Sequence, residues 1–198
     1  SLYLLSINML VHRVRCIPYM PSAATSISFS PSGQKLAVFR ENGELEIWCK
    51  MDRWFLEMKT SVIDFDQDSE ADDELGATSV CWFTTSNEND EDSKELRLLC
   101  GSLAGFMYEL NQNGEVLNRY DSYGGAIWAI SSNPKNSSQI AVACEDGSVR
   151  TFIYDQMNGF ALDKIMAKQK ARIVSLAWHC NGEILVSGDA YSGINIWT

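Results

Sequence analysis

TSISFSPSGQKLAVFRENGELEIW, residues Thr25–Trp48, contains three short runs of alternating apolar and polar residues separated by two turns. Each turn holds a glycine, Gly33 or Gly43, and glycine readily supplies the positive φ angles that tight hairpins require. Alternation such as Leu45 and Ile47 between glutamates indicates strands with one better-buried face. The stretch therefore predicts three antiparallel strands joined by hairpins.

The same pattern recurs three more times along the chain. The further copies are Thr78–Leu110, Ala126–Phe152 and Ile173–Trp197. The corresponding first-strand positions are Ile27, Val80, Trp128 and Leu176, at spacings of 53, 48 and 48 residues. These spacings slightly exceed the ~40–45 residues of a four-stranded propeller repeat. A fourth, outer strand is expected over 53–59, 115–120 and 160–166, so each repeat predicts one blade.

The repeats predict an all-β fold, a WD40-type β-propeller with about four blades of a seven-bladed ring. The blades are expected near residues 25–59, 78–120, 126–166 and 173–198. A blade cannot bury both faces of its sheet alone, so neighbouring blades must stack around a ring. Four blades form an open arc, which is expected to expose the apolar outer faces of the end blades. The sequence therefore predicts an incomplete propeller.

The N-terminal region predicts a non-native extension followed by the propeller. Met9 is the expected start, so residues 1–8 are interpreted as a non-native or read-through extension and residues 9–198 as the partial propeller. The apolar run Leu2–Leu10 is far shorter than the roughly 20 residues that span a bilayer, and no membrane association is expected. Val11–Ile17 is predicted to be an outer strand that pairs with a late blade and closes the ring.

The acidity of the chain is concentrated in two segments, interpreted as loops over 64–74 and 87–95. Asp64–Glu74 and Glu88–Glu95 carry net charges of −7 and −4, against −10 for the whole chain. The remaining residues are therefore close to neutral. Ser69, which precedes several acidic residues, is a candidate for phosphorylation by an acid-directed kinase. The alternative is that both loops only keep the surface soluble.

No catalytic, cofactor-binding or metal site is predicted. The six cysteines form no C-x-x-C pair, and the two histidines, His12 and His179, offer no zinc spacing or catalytic motif. The acidic segments lack the glycine of an EF-hand loop. Gly124-Gly125 leads into a strand, which is unlike a phosphate-binding loop. The sequence thus predicts a non-enzymatic protein without cofactor or small-molecule substrate, in a reducing compartment.

Blade endings resemble those of WD-repeat proteins. The resemblance lies in Leu45–Trp48, Ile194–Trp197 and Asp146–Val149. Many such blades hold a buried hydrogen-bonded set of Ser or Thr, His, Asp and Trp. Blade 4 keeps Ser187 and Trp197 but has Gln169 and Tyr191 in place of His and Asp. Blade 3 keeps Asp146, with Phe152 and Tyr123 in the aromatic and His positions. These residues, and Trp48, are expected to pack rather than to form a polar network.

Four sequence blocks that occur in the same order indicate a particular family of WD-repeat proteins. They are Val11–Arg15, Tyr123–Trp128, Cys144–Val149 and Lys170–His179. Together they resemble the N-terminal propeller of the cirhin-like WD-repeat family, which is associated with the U3 small nucleolar ribonucleoprotein. The resemblance implies a scaffold of the small-subunit processome, in the nucleus and nucleolus, acting in pre-rRNA processing. It also implies WD-repeat and helical processome subunits as partners.

A basic run is the candidate contact site. Lys164, Lys168, Lys170 and Arg172 are expected in the loop that leads to blade 4. On a propeller face they could meet the phosphates of pre-rRNA or U3 RNA, meet acidic protein surfaces, or simply be solvated. The alternative function is a WD-repeat substrate adaptor of a ubiquitin ligase or signalling complex. Such an adaptor would be expected to have an arginine cluster that faces the central channel.

Overall fold

The computed structural model describes residues 22–62, 77–87 and 90–198, except for the side chains of 77, 86–87 and 90–94. The predicted strand Val11–Ile17, the acidic segment 64–74, Ser69 and His12 lie outside the described residues. Among the described residues, no helix is long and apolar enough to cross a membrane.

Within the described ranges, fifteen strands form four antiparallel sheets, each built from consecutive strands. Blade 1 contains β1 (Ala24–Phe29), β2 (Lys35–Arg40), β3 (Glu44–Lys50) and β4 (Trp54–Ser61). Blade 2 contains β5 (Ala77–Asn87), β6 (Asp90–Ser102), β7 (Phe106–Leu110) and β8 (Val116–Asp121). Blade 3 contains β9 (Ile127–Ser132), β10 (Gln139–Cys144), β11 (Val149–Asp155) and β12 (Gly159–Ile165). Blade 4 contains β13 (Ile173–Trp178), β14 (Leu185–Asp189) and β15 (Ile194–Trp197) within the described residues. The all-β prediction is confirmed, and four blades are consistent with an incomplete propeller.

The hydrophobic cores lie between neighbouring blades, as the stacking argument predicts. Blades 1 and 2 share the buried residues Ala37, Phe39, Leu45, Ile47, Val80, Trp82, Leu98 and Cys100. Blades 2 and 3 share Cys81, Phe83, Leu99, Met107, Ile127, Ile140, Val142 and Phe152. Blades 3 and 4 share Ala141, Ala143, Val149, Ile173 and Leu185. By contrast, Ile27 and Phe29 of blade 1 and Ile194 and Ile196 of blade 4 are exposed. The expected exposed faces of the end blades are therefore present.

Every innermost strand has a register shift at the same place. The residues that interrupt the pairing with the second strand are Thr25, Thr78, Trp128 and Val174. They are spaced by 53, 50 and 46 residues. The predicted alignment of Trp128 with Ile27 is therefore wrong, because Ile130 pairs with Val142 as Ile27 pairs with Val38. Trp128 is apolar, but it leaves the strand ladder at the bulge and re-aims its side chain.

The acidic segment predicted as a loop over 87–95 is another correction. β5 extends to Asn87 and β6 begins at Asp90, with Thr85 paired to Glu95 and Asn87 to Asp90. Backbone pairing between the two long strands thus continues into the acidic residues, despite their weak strand propensity.

Tryptophan side chains also connect neighbouring innermost strands. Trp82 Nε1 donates to the Ser28 carbonyl at 2.9 Å, and Trp178 Nε1 donates to the Ser131 carbonyl at 3.2 Å. Trp82 and Trp178 occupy equivalent positions in their blades. Trp82 pairs with Leu98 and Trp178 pairs with Leu185, and each leucine is the first residue of the second strand that also pairs with the third strand. The contact therefore repeats from blade 1 to blade 2 and from blade 3 to blade 4.

Replacing Trp82 by Phe should lower the free energy of unfolding by about 1–2 kcal/mol, because the Ser28 carbonyl loses its indole donor. Urea denaturation followed by fluorescence would measure this. Trp54→Phe is the matched control, since the Trp54 indole N–H has no hydrogen-bond partner among the described residues. Equal losses in the two variants would contradict a role for the inter-blade hydrogen bond.

Candidate interaction surface on blades three and four

The loop 166–172 lies on the β10–β11 turn of blade 3. Gln169 N donates to the Gly147 carbonyl at 2.8 Å, and Met166 N donates to the Val149 carbonyl at 2.9 Å. Gly147 has a φ of +81°, and a Cβ at this position would lie 2.7 Å from the Gln169 carbonyl oxygen. The glycine that makes the hairpin turn thus also allows the basic loop to approach it closely.

Three of the four predicted basic residues lie on this loop, and two of them are paired with acids of the turn. Lys168 Nζ is 2.9 Å from Asp146 Oδ2, and Arg172 Nη1 is 3.8 Å from Glu145 Oε1. Lys170 is exposed and has no ion-pair partner among the described residues. Because the loop contacts the turn, the acids of the turn neutralise part of the positive charge of the loop.

The prediction that Lys164 belongs to this loop is wrong. Lys164 lies in the outer strand β12, paired with Thr151 of β11. Backbone pairing with β11 continues to Ile165, which agrees with the outer strand predicted over 160–166. Lys164 is exposed at the outer side of blade 3.

Trp128 connects the bulge of β9 to the charged residues. Its Nε1 donates to Glu145 Oε2 at 2.5 Å, and the Arg172 guanidinium carbon is 4.5 Å from its ring centroid. A guanidinium over an indole face is worth about 0.5–1 kcal/mol at an exposed position. Trp128 and Glu145 thus hold Arg172 from two sides and fix the direction of its side chain.

Asp146 anchors the turn beneath the loop. It accepts hydrogen bonds from Ser148 Oγ at 2.6 Å and from Arg150 Nη2 at 3.0 Å. Burial would raise the pKa of Asp146, but the hydrogen bonds from Ser148 and Lys168 and the charge of Arg150 lower it to about 2. Arg150 is buried and also donates to the Ser122 carbonyl at 2.9 Å. The turn therefore keeps its negative charge at neutral pH.

Two exposed tyrosines flank these residues. Tyr123 has a φ of +57° and is 66% exposed, and Tyr191 is 77% exposed. The segment after Tyr123 is tied to the turn, since Asp146 N donates to the Gly124 carbonyl at 3.1 Å. The segment before Tyr191 is tied to the loop, since Ala190 N donates to the Arg172 carbonyl at 3.0 Å. The backbone next to each tyrosine is therefore tied to the turn or to the loop.

We call this patch the blade 3–4 surface. It consists of Tyr123, Trp128, Glu145, Asp146, Lys168, Lys170, Arg172 and Tyr191. Three of the four sequence blocks behind the family resemblance contribute to it, although they are far apart in the chain. The basic residues were predictable from the sequence, but the part played by Trp128 was not. The available signal was a tryptophan three residues after Gly125, at the second position of β9.

The expectation that Ser187, Trp197 and Gln169 only pack is wrong. Trp197 Nε1 donates to Ser187 Oγ at 3.0 Å, and Gln169 Nε2 lies 2.6 Å from the same oxygen. Gln169 thus takes the place that His has in many WD blades, because its amide can also reach the serine hydroxyl. Trp48 also makes a hydrogen bond, since its indole Nε1 donates to Glu46 Oε2 at 3.1 Å. Both indoles are half-buried, so packing and hydrogen bonding act together.

His179 and the buried cysteines Cys81 and Cys144 have the surroundings of structural residues rather than of reactive ones. His179 is exposed after β13, and its Nδ1 accepts a hydrogen bond from Asn181 N at 3.3 Å, as a turn residue does. Burial raises the pKa of Cys81 to about 12 and that of Cys144 to about 11, so both stay protonated thiols at neutral pH. Within the described ranges, no group of three or more His, Cys, Asp or Glu side chains could hold a metal ion.

The comparison with family models agrees with this architecture. The family model "WD domain, G-beta repeat" matches residues 163–198. This range includes the basic loop and the three strands of blade 4. The structure is therefore a WD40-type β-propeller arc in its strand order, and the sequence of its last blade matches the repeat model.

Relatives with a U3-associated name match almost the whole chain. "U3 small nucleolar RNA-associated protein 4" of Saccharomyces cerevisiae is 33% identical over 96% of this chain and 24% of its own length. Its homolog in Homo sapiens is 30% identical over 90% of this chain and 23% of its own length. The chain thus spans about a quarter of the length of these relatives. Their names agree with the U3 association in the predicted resemblance, while the narrower cirhin-like assignment stays a prediction.

Solved structures share the fold at low sequence identity. A chain of an active polycomb repressive complex 2 has a TM-score of 0.71 at 16% identity, covering 91% of this chain and 38% of that chain. The computationally designed Ika4 protein has a TM-score of 0.63 at 15% identity, covering 95% of this chain and 98% of that chain. At such identities the likeness concerns the fold alone.

Proposed function

We propose that the protein is a non-catalytic scaffold of the small-subunit processome, acting in pre-rRNA processing and 18S rRNA maturation. The observation that carries the proposal is the similarity to U3 small nucleolar RNA-associated protein 4 over 90–96% of this chain. A stack of blades suits this role, because function is placed on rigid, exposed surfaces rather than in a catalytic cleft. Nuclear and nucleolar location follows from the same proposal.

The partners in this proposal are other processome subunits, both WD-repeat and helical proteins, with pre-rRNA or U3 RNA as a further candidate. The blade 3–4 surface supports the proposal of a contact site there, since it is exposed and combines aromatic with charged side chains. Lys168, Lys170 and Arg172 are the proposed contacts, with Lys164 at the outer side of blade 3. Ser69 stays a proposed phosphorylation site on sequence grounds.

Depletion of the protein should reduce mature 18S rRNA and cause its precursors to accumulate, while the large-subunit rRNA stays nearly constant. Northern hybridisation with probes for both rRNAs would measure this. In the same cells, the tagged protein should be enriched in nucleoli and should co-purify with U3 RNA. A cytoplasmic protein that recovers ubiquitin-ligase subunits and no U3 RNA would favour the adaptor alternative instead.

A further inference from the structure

The blade 3–4 surface has the composition of a protein-binding surface. Tyr, Trp and Arg are the residue types enriched in interfaces and in their energetic centres. Tyr123 and Tyr191 offer large exposed rings. Arg172 is already held against Trp128 and Glu145, so little of its side-chain entropy is lost when a partner binds.

The charges on this surface favour a protein over a nucleic acid. A groove that follows a phosphate backbone presents lysines and arginines without competing acids. Here the carboxylates of Glu145 and Asp146 lie 3.8 Å from Arg172 and 2.9 Å from Lys168. A nucleic-acid backbone carries one phosphate per nucleotide and needs several free cations, whereas Lys168 and Arg172 are already paired with these carboxylates.

Lys170 differs from its two basic neighbours. It is exposed and has no acidic partner among the described residues. With Lys168 and Arg172 it gives the surface three positive charges against the two carboxylates of Glu145 and Asp146. A ligand with a carboxylate at Lys170 would therefore complete the alternation of charges that the surface already shows.

We infer that the blade 3–4 surface binds an extended acidic segment of a partner protein. A carboxylate of the segment pairs with Lys170, and apolar side chains beside it pack on Tyr123 and Tyr191. The inference rests on the proposed function only in taking the protein as a scaffold. Under this inference the partner is an acidic peptide segment, and Lys170 determines the specificity for it.

The test uses the purified protein at its natural length and a fluorescein-labelled twelve-residue peptide that alternates Glu with Leu and Phe. Fluorescence anisotropy should show saturable binding, and a peptide with Gln in place of Glu should bind at least tenfold more weakly. Lys170→Glu should weaken binding of the acidic peptide at least tenfold, and a peptide with Lys in place of Glu should restore it. This charge-swapped recovery cannot come from a structural defect.

Lys50→Glu is the matched control. Lys50 is an exposed lysine at the end of β3 in blade 1, and the substitution changes the net charge equally. Binding of the acidic peptide should be unchanged in this variant. Equal weakening by Lys50→Glu and Lys170→Glu would show a general charge effect and would overturn the inference.

A single-stranded RNA of twelve nucleotides is the competing probe. Absence of saturable peptide binding, or tighter RNA binding that Lys170→Glu abolishes, would overturn the acidic-segment inference. Recovery of U3 RNA with the tagged wild-type protein is measured separately. If U3 RNA is recovered but the peptide does not bind, only this inference fails; if the peptide binds without U3 recovery, only the proposed function fails.

Discussion

Replacing Glu109 by Ala should lower the free energy of unfolding by about 3–5 kcal/mol, because the change removes a fully buried carboxylate and leaves Arg97 with only the exposed Glu95 as an acidic partner among the described residues. Glu109 is 0% exposed and accepts a hydrogen bond from Arg97. It also accepts from Asn118 Nδ2 at 2.9 Å and from the Tyr120 hydroxyl at 2.7 Å. One substitution therefore removes the acceptor of three donors. Urea denaturation would measure the loss.

The same carboxylate helps to join two blades. Arg97, which pairs with Glu109, also donates to the hydroxyl of Tyr154 in blade 3 at 2.8 Å. Burial would lower the pKa of Arg97, but hydrogen bonds with Glu95 and Glu109 outweigh it and raise the pKa. The cation is thus firmly charged, and without Glu109 it stays charged in a poorly solvated position. Loss of Glu109 should loosen the contact between blades 2 and 3 as well as blade 2 itself.

Two further variants make the prediction sharp. Glu57→Ala removes an exposed partner of Lys35 and should cost at most about 1 kcal/mol. The double variant Arg97→Met with Glu109→Leu removes the buried pair and should be clearly more stable than Glu109→Ala, because the carboxylate that then loses its partner, Glu95, is exposed to solvent. If Glu109→Ala costs no more than Glu57→Ala, the network does not stabilise the blade contact.

The strand order could be predicted because it depends on local signals. Glycine turns such as Gly33 and Gly43 and short alternating runs define hairpins without knowledge of the rest of the chain. Stacking of blades followed from the need to cover both faces of each sheet, and the cores between blades confirm it. The register of strand pairing was harder to predict, because it depends on the partner strand, and the bulge at Trp128 was therefore missed.

The blade 3–4 surface could be predicted only in part, because it is assembled from distant segments. The basic run is visible in sequence, but its partners Glu145 and Asp146 belong to a turn of the preceding blade. Likewise, Gln169 stands where many WD blades have His, and this difference predicted that the hydrogen-bonded set of the blade is lost. In the structure the Gln169 amide nevertheless reaches the Ser187 hydroxyl. Sequence patterns show residue types, whereas the polar contacts depend on where the loop 166–172 lies.

Replacing Gly147 by Ala should reduce stability and should also displace the loop that carries the basic residues. A non-glycine residue at φ +81° costs roughly 1–2 kcal/mol. In addition, the new Cβ would lie 2.7 Å from the Gln169 carbonyl oxygen and 3.0 Å from that of Ala171. Both atoms belong to the backbone, so the whole loop must move. We expect a loss of about 3 kcal/mol in the free energy of unfolding and at least tenfold weaker binding of the acidic peptide.

The control for Gly147→Ala is Gly33→Ala, which separates loop displacement from backbone strain. Gly33 has a similar φ of +68°, but no atom would lie within 4 Å of its new Cβ. Gly33→Ala should therefore cost only about 1 kcal/mol and should leave peptide binding unchanged. Gly147→Asn gives a second comparison, because Asn tolerates the left-handed region but still places a Cβ against the loop. If Gly147→Asn binds the peptide as the wild type does, the close approach of loop and turn does not position Lys170.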